Sequence, residues 1–373
     1  MEERGFRTSP GNAILTIFTV VTDDGHLLEP TLGCSKRLGL AHVVVDASVD
    51  HQAVRWIKRY SAQRMVHPWC DDLAVLCRLA GTLVRTPWLL WLEPGEWIDA
   101  EELKRLVTML AGRHHPAVYY LLIRQAQVCQ ASEPEQCAFL RVMPTTYASK
   151  FVGRVRPSIL GSVAADGVSI EPFACLIHRD RRMAAREFVS QRARRNIRLA
   201  DLELQDAGPS ASVYNALAEA FVALEMLPDA AAEYRRALRY AEPGTADQLE
   251  AAHGLMALPE RIVPADERLS VATDVLRSFP LDLPLLCALG LEMSYVGRLD
   301  VAVRCFELAY CHGQIRADLW HSPDLRLTAA EGWAMMLARQ GRRQAAVDVL
   351  RRSLAENPHA ARLECRLAEL LSA

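Results

Sequence analysis

The sequence contains little lysine, almost no net charge and no long hydrophobic run. Only four of its 43 basic residues are lysines, at positions 36, 58, 104 and 150, so the other 39 are arginines spread along the chain. The formal net charge is −2 at pH 7. Because a balanced charge provides no field that would hold a polyanion, nucleic acid is not expected as a partner.

Membrane spans and export signals are absent from the sequence as well. No apolar run reaches the roughly 18 to 20 residues that cross a bilayer, and residues 1–12 contain no apolar signal-peptide core. The ten cysteines include no Cys-x-x-Cys pair, which argues against a zinc site and favours reduced thiols. These features predict a cytoplasmic protein without a transmembrane segment.

The chain is long enough for two domains of different character. Its 373 residues are 51% hydrophobic and 24% charged, an ordinary globular composition. Strand patterns alternate with helix patterns over residues 1–179, which predicts an α/β domain with a mostly parallel sheet covered on both faces. Two of its later strands, at 117–123 and 138–142, are expected to be antiparallel and at the sheet edge. Residues 180–208 are expected to form a linking helix, and residues 209–373 an all-α repeat domain.

Carboxylates follow three of the predicted strands. The apolar stretch Trp88–Leu92 ends at Glu93 and Glu96, which flank a Pro-Gly turn, and two earlier strands end at Asp23 and Asp46. In open α/β sheets the ligand crevice lies beyond the carboxyl ends of the strands. The pattern therefore predicts an acidic binding site at this edge, with a plain acidic turn after Trp88–Leu92 as the alternative.

Five segments of the first domain resemble, in order and spacing, the family 2 glycosyltransferase-like domains that carry tetratricopeptide repeats (TPRs) behind them. The segments are Asp23-Asp24, Val45-Asp46-Ala47-Ser48, Trp69-Cys70-Asp71-Asp72, Leu92-Glu93-Pro94-Gly95-Glu96 and Phe151-Val152-Gly153-Arg154-Val155-Arg156-Pro157. The resemblance implies a GT-A-like fold and a nucleotide-sugar ligand. It implies nucleotide-sugar contacts from Asp23, Asp46, Asp72, Glu93, Glu96, Arg154 and Arg156.

The sequence departs from the family pattern where the chemistry would take place. By resemblance, an Asp-x-Asp motif holds Mn²⁺ or Mg²⁺ on the donor diphosphate. Glu93 could still bind such a metal, but Gly95 stands at the second Asp position and offers no oxygen. Arg156-Pro157 replaces the family's His-Glu pair, so no catalytic base is assigned. Arg154 or Arg156 could instead pair with a diphosphate, since a guanidinium matches phosphate oxygens.

The second half of the chain repeats itself. The signature positions of a TPR, which alternate small and aromatic residues, are occupied by Tyr214, Leu217, Ala218, Phe221, Ala230, Tyr234 and Ala237. The pattern returns 72 residues later, where Gly290 takes the place of Ala218, and again around Trp333 and Ala334. Stacked repeats of this kind present a concave face to a peptide or protein. A purely structural stack and self-association remain alternatives.

Two functional hypotheses follow from these patterns. The first is a divergent glycosyltransferase that uses a nucleotide sugar, with the repeats holding an acceptor or partner. The second is a non-catalytic relative, a scaffold or protein-interaction module, which Gly95 and Arg156 favour. The arginines of residues 181–198 suggest a third, nucleic-acid binding, but the interspersed Glu187 indicates a solvated helix face.

Overall fold

The structure is a computed structural model that describes residues 13–113, 115–125 and 134–372. The chain divides into two compact units, Met1–Gly208 and Pro209–Ala373. The segment predicted as a linking helix therefore belongs to the first unit. None of the described helices is both long enough and apolar enough to cross a membrane.

The first unit is built on one sheet, which has eight strands in the described part of the chain. They are β1 (Leu15–Val21), β2 (Ala41–Asp46), β3 (Gln63–Val66), β4 (Trp88–Trp91), β5 (Glu96–Ile98), β6 (Ala117–Arg124), β7 (Gln136–Pro144) and β8 (Ser169–Arg179). Their order in the sheet is β3-β2-β1-β4-β7-β6-β8-β5.

The sheet is mixed, whereas the sequence predicted a mostly parallel one. Strands β3, β2, β1 and β4 run parallel to their neighbours, but β7 is antiparallel to both β4 and β6. The predicted antiparallel pairing of β6 and β7 is confirmed, but their placement at the edge was wrong. Strand β7 lies inside the sheet because its Val142 and Met143 pair with Leu90 and Leu89 of β4 and are fully buried.

The sheet curls, and the short link between β4 and β5 is the reason. Three strands separate β4 from β5 in the sheet order, which in a flat sheet would place them about 19 Å apart at about 4.8 Å per strand. Only residues 92–95 join the two strands, and they make a tight turn in which the Glu96 N–H donates to the Glu93 carbonyl oxygen (3.0 Å). The edge strand β5 must therefore fold back toward β4.

Helices cover both faces of the parallel half of the sheet. In this unit they are α1 (Leu28–Arg37), α2 (Val54–Tyr60), α3 (Leu73–Leu83), α4 (Ala100–Ala111), α5 (Leu160–Ala165) and α6 (Arg186–Ala207). On one face, Phe18 and Val45 pack with Leu76 of α3. On the other, Val44 packs with Leu32 of α1. The linking helix predicted over residues 180–208 begins instead as a short 3-10 turn, Arg181–Ala184, and Ala185 is extended before α6 starts.

The second unit is a TPR-like array of helix pairs. It contains α7 (Ala211–Ala223), α8 (Leu227–Tyr240), α9 (Ala246–Ala257), α10 (Ala265–Leu276), α11 (Leu283–Tyr295), α12 (Leu299–His312), α13 (Leu325–Arg339), α14 (Arg343–Glu356) and α15 (Ala361–Ser372). The first eight helices form four successive pairs, and α15 packs on α14 at the end of the array. The predicted repeats and the terminal helix are thereby confirmed.

Three of the helix pairs turn with the same backbone geometry. The turn residues Glu225, Gly297 and Gly341 have φ of 61°, 79° and 77°. In each case the next N–H donates to the carbonyl oxygen five residues earlier at 2.9 Å, which closes the first helix with a Schellman-type turn. The three pairs therefore share the conformation of this turn as well as the residue types of the TPR signature.

Small residues allow the paired helices to approach, as the signature predicts. A Cβ on Gly290 would lie 2.9 Å from the ring of Phe306, and a Cβ on Gly332 would lie 2.4 Å from the same ring. Phe306 of α12 therefore fills the space between α11 and α13, and both flanking positions need glycine. The aromatic and small positions of the repeat are complementary parts of one contact.

A neutral histidine is built into the buried side of the sheet. His42 of β2 lies between the hydroxyls of Thr19 (Nε2 to Oγ1, 3.0 Å) and Ser35 (Nδ1 to Oγ, 2.9 Å). Because Ser35 already donates its proton to the Leu32 carbonyl oxygen, His42 Nδ1 donates to Ser35 and Nε2 accepts from Thr19. Burial lowers the pKa of His42 to about 3.

This histidine should make stability fall in mild acid. The unfolded chain takes up a proton near pH 6.5, whereas folded His42 stays neutral down to about pH 3. Between those values the free energy of unfolding should fall by up to about 1.4 kcal/mol per pH unit as pH drops. Urea unfolding from about pH 6 to 4.5 should show a shallower dependence in His42→Gln than in the wild type. Parallel curves would contradict the assignment.

Candidate functional site

The parallel register brings the predicted carboxylates to one edge of the sheet. Val21 pairs with Asp46, and Phe18 pairs with Trp91, so β1, β2 and β4 end side by side. The side chain of Asp24 is hydrogen-bonded within the chain, because its Oδ1 accepts the N–H of Thr22 (3.0 Å). Asp23, by contrast, is exposed.

Glu96 is fully buried and is paired with two arginines. Its Oε1 accepts from Arg141 Nη2 (3.0 Å) and from Arg179 Nε (3.0 Å). Its Oε2 accepts the backbone N–H of Glu93 (2.9 Å). The guanidinium of Arg141 also lies over the ring of Trp91, 4.9 Å from the centroid. Glu96 therefore connects β5 to β7 and β8.

Glu93 is neutralised by a third arginine. Its Oε2 lies 2.9 Å from Arg192 Nη1 of α6, and Arg141 and Arg179 are at 3.7 and 4.0 Å. Burial by itself raises the pKa of Glu93, but the attraction of Arg192, Arg141 and Arg179 outweighs it and holds the pKa well below its usual range. A divalent metal would have to displace a guanidinium to reach this carboxylate.

Gly95 could not carry the second acid of a metal site without rearrangement. Its φ is +89°, and its N–H donates to the hydroxyl of Thr31 (3.0 Å). A Cβ at this position would lie 2.9 Å from the sulfur of Met183 and 3.4 Å from Cβ of Leu27. The residues around Glu93 therefore do not fit a metal held by two carboxylates of this turn. No group of three or more metal-binding side chains occurs in the described ranges either.

Helix α6 covers the ends of the parallel strands. Besides Arg192, its Arg195 donates to Thr22 Oγ1 (2.7 Å) and its Arg198 to Asp71 Oδ2 (2.6 Å). The hollow left beside Thr22, Asp24 and Arg192 measures about 10 Å³. That is space for about one water molecule, whereas small-molecule sites measure about 300 to 1,000 Å³.

Asp46 also has its oxygens occupied by neighbours. It is fully buried, and its Oδ2 accepts from Arg64 Nε (3.0 Å) and Nη2 (2.6 Å). Its Oδ1 accepts from the hydroxyl (2.6 Å) and the N–H (3.1 Å) of Ser48. His51, whose φ is 52°, lies 3.8 Å away. Asp46 thus fixes the loop after β2.

Asp72 and Arg154 lie close together, on the side of the edge that faces α6. The carboxylate of Asp72 caps α3 by accepting the Val75 N–H (3.0 Å). Arg154 Nη1 lies 4.0 Å from Asp72, and Nη2 pairs with Asp206 of α6. Arg156 is half-buried in a loop that is closed by the mutual hydrogen bonds of residues 152 and 158.

The arginines of this network were missed at the level of sequence, although two of them left a signal. Arg141 interrupts the apolar stretch of β7, and Arg179 ends an apolar strand. A charge inside a buried strand needs a buried partner. Arg192, Arg195 and Arg198 were assigned to a solvated helix face, which was wrong for the half-buried Arg192 and Arg195 because they contact Glu93 and Thr22. Arg198 is exposed as predicted, but it pairs with Asp71.

Comparisons with known proteins identify structures that resemble part of the chain. No protein-family model matches the sequence, and no curated protein matches it. A thermophilic TPR protein of Thermus thermophilus is 19% identical with a TM-score of 0.34, over 52% of this chain and 97% of that one. MamA is 14% identical with a TM-score of 0.37, over 48% of this chain and 95% of that one. YrrB, a TPR protein with an unusual peptide-binding site, is 15% identical with a TM-score of 0.36, over 51% of this chain and 88% of that one.

The TPR-like character of the second unit rests on its own helix pairs and turns. The GT-A-like identity of the first unit stays a prediction.

The buried Glu96 network should contribute strongly to stability. Replacing Glu96 by Gln removes the carboxylate that both Arg141 and Arg179 contact at 3.0 Å, and removing one partner of a buried ion pair costs about 3 to 5 kcal/mol. Urea unfolding of the full chain measures the loss. Glu29→Gln, which removes an exposed pair with Arg59, is the control and should cost about 1 kcal/mol or less. Equal costs would contradict a structural role for Glu96.

Proposed function

We propose that this protein binds a protein or peptide segment through its TPR-like array, and that its α/β unit is a non-catalytic relative of the glycosyltransferase-like domains it resembles. The observation that carries the second part is the pairing of Glu93 with Arg192 at 2.9 Å. The position that would hold a metal on a sugar diphosphate is occupied by the chain's own guanidinium.

In the part of the chain that the structure describes, the strand-end edge offers neither a metal site nor a general base for sugar transfer. A metal contributes several kcal/mol of charge stabilisation, and a general base contributes about 10² to 10⁴-fold in rate. Glu93 and Glu96 are committed to arginines, and Asp46 is committed to Arg64. Gly95 has no room for a carboxylate. No carboxylate among these is positioned to hold a metal or accept a proton from a substrate.

The array, by contrast, leaves apolar side chains exposed on α11 and α13, each of which is the first helix of its pair. Leu291 and Tyr295 lie four residues apart on α11, hence on one face, and are 41% and 71% exposed. Met335 of α13, at the repeat position equivalent to Leu291, is 37% exposed. Helices α11 and α13 contact each other, and Arg339 of α13 donates to the Ser294 carbonyl oxygen (3.5 Å). These residues suit an extended segment with apolar side chains.

The non-catalytic proposal predicts the outcome of a donor assay. UDP- and GDP-sugars with Mn²⁺ should produce no shift in Tm and no hydrolysis or transfer, because α6 fills the strand-end edge and Glu93 is paired. Thermal shift and released nucleotide are the measurements. Metal-dependent turnover that disappears in Glu93→Ala would overturn the proposal. Turnover that persists unchanged in that variant would come from a contaminating enzyme.

Peptide binding is tested separately. Peptides selected from a random display library on the full chain should carry apolar residues, and Tyr295→Ala should weaken them about 10-fold or more in fluorescence polarisation, as expected for a central aromatic contact. Tyr240→Ala is the matched control, since Tyr240 is 51% exposed but lies on α8, the second helix of its pair. The proposal fails if no peptide is enriched, or if the two variants weaken binding equally.

A further inference from the structure

Helix α6 is attached to the first unit with few apolar contacts. Of its 22 residues only Ala193, Leu199 and Ala200 are buried. Helix α3, with half as many residues, buries four, among them Leu76. Most helices in proteins are held by packing of an apolar stripe. Helix α6 has little such packing, so other contacts must hold it.

Polar contacts with the strand-end loops provide the attachment. They follow one side of the helix over four turns: Arg192 with Glu93, Arg195 with Thr22, Arg198 with Asp71, Glu203 with the N–H groups of Arg154 and Val155, and Asp206 with Arg154. Several are open to water, since the side chains of Arg198 and Asp206 are 68% and 57% exposed. Salt screens exposed ion pairs of this kind much more than it weakens apolar packing.

The backbone leaves the helical conformation at a single residue on each end of α6. Ala185 is extended (φ −64°, ψ 133°), and Gly208 has φ 81° and ψ −177°. The second conformation is readily adopted only by glycine. Single residues of this kind at the ends of an element are where hinge motions are absorbed.

The covered edge would be acidic without α6. Asp71 would lose Arg198 and Glu93 would lose Arg192, its nearest arginine, while Asp24 would lose the attraction of Arg195. Glu96 would keep Arg141 and Arg179, which also stay 3.7 and 4.0 Å from Glu93. The removal of α6 would thus make this edge more acidic: Asp24 and Asp71 would lose the arginines of that helix, and Glu93 would keep only the two arginines that it shares with the buried Glu96.

We propose that α6 is a dissociable strap, which detaches from the strand ends while the sheet stays folded and thereby exposes the acidic edge that it covers. This inference concerns the first unit and does not depend on peptide binding by the array. The strap is held by charge, so ionic strength sets how often it opens.

Hydrogen exchange on the full chain, read by mass spectrometry, tests the strap. Amides of residues 187–207 should exchange about 10-fold faster at about 1 M NaCl than at about 50 mM, where the Debye length is several times longer. Amides of β1 and β4 should not change. Arg198→Gln should accelerate exchange of α6 at low salt. Arg194→Gln, which alters an exposed arginine of the same helix that makes no ion pair among the described residues, is the matched control and should have no effect.

Carboxylate labelling with a carbodiimide and glycine ethyl ester distinguishes detachment from fraying of the helix in place. At high salt, modification of Asp24 and Glu93 should rise several-fold, while Glu96 stays protected by Arg141 and Arg179. The proposal is overturned if α6 exchanges only together with β1 and β4, if salt has no effect, or if α6 exchanges faster while Glu93 remains unlabelled.

Discussion

The pairing of one buried carboxylate with two arginines, one buried and one largely buried, is the constraint on which the first unit depends. Glu96 begins β5, and its partners Arg141 and Arg179 come from β7 and β8. The turn after β4 forces β5 back toward the middle of the sheet, so these three charges meet inside the curl. Buried charges are tolerated only when they are paired and hydrogen-bonded. The curl and the ion pairs therefore require each other.

The same pairing decides the chemistry of the edge. Once Glu96 is committed to two arginines, Glu93 lies beside them and takes Arg192 as its own partner. Gly95 between them adopts a left-handed conformation against Met183, which leaves no place for a further acid. The carboxylates at this strand-end edge are in this way part of the contact surface for α6.

The two units differ in which groups they leave exposed to a partner. The first closes its polar edge with its own helix and leaves space for about one water molecule. The second repeats a glycine-and-aromatic contact around Phe306 and keeps apolar side chains such as Tyr295 in solvent. Exposed apolar groups on a regular scaffold favour association with a partner. Charged groups already paired within the chain do not.

Local pattern was sufficient for most elements, because each depends on residues close in sequence. The strands at 15–21 and 41–46 and the TPR-like repeats follow from apolar period and spacing alone. The position of β7 inside the sheet and the partners of Glu93 did not follow, since both depend on contacts between residues about 50 to 100 positions apart. A sequence places a carboxylate at the end of a strand. Only the tertiary structure decides whether the nearest cation is a metal, a ligand or an arginine of the same chain, because Coulomb attraction depends on distance in space.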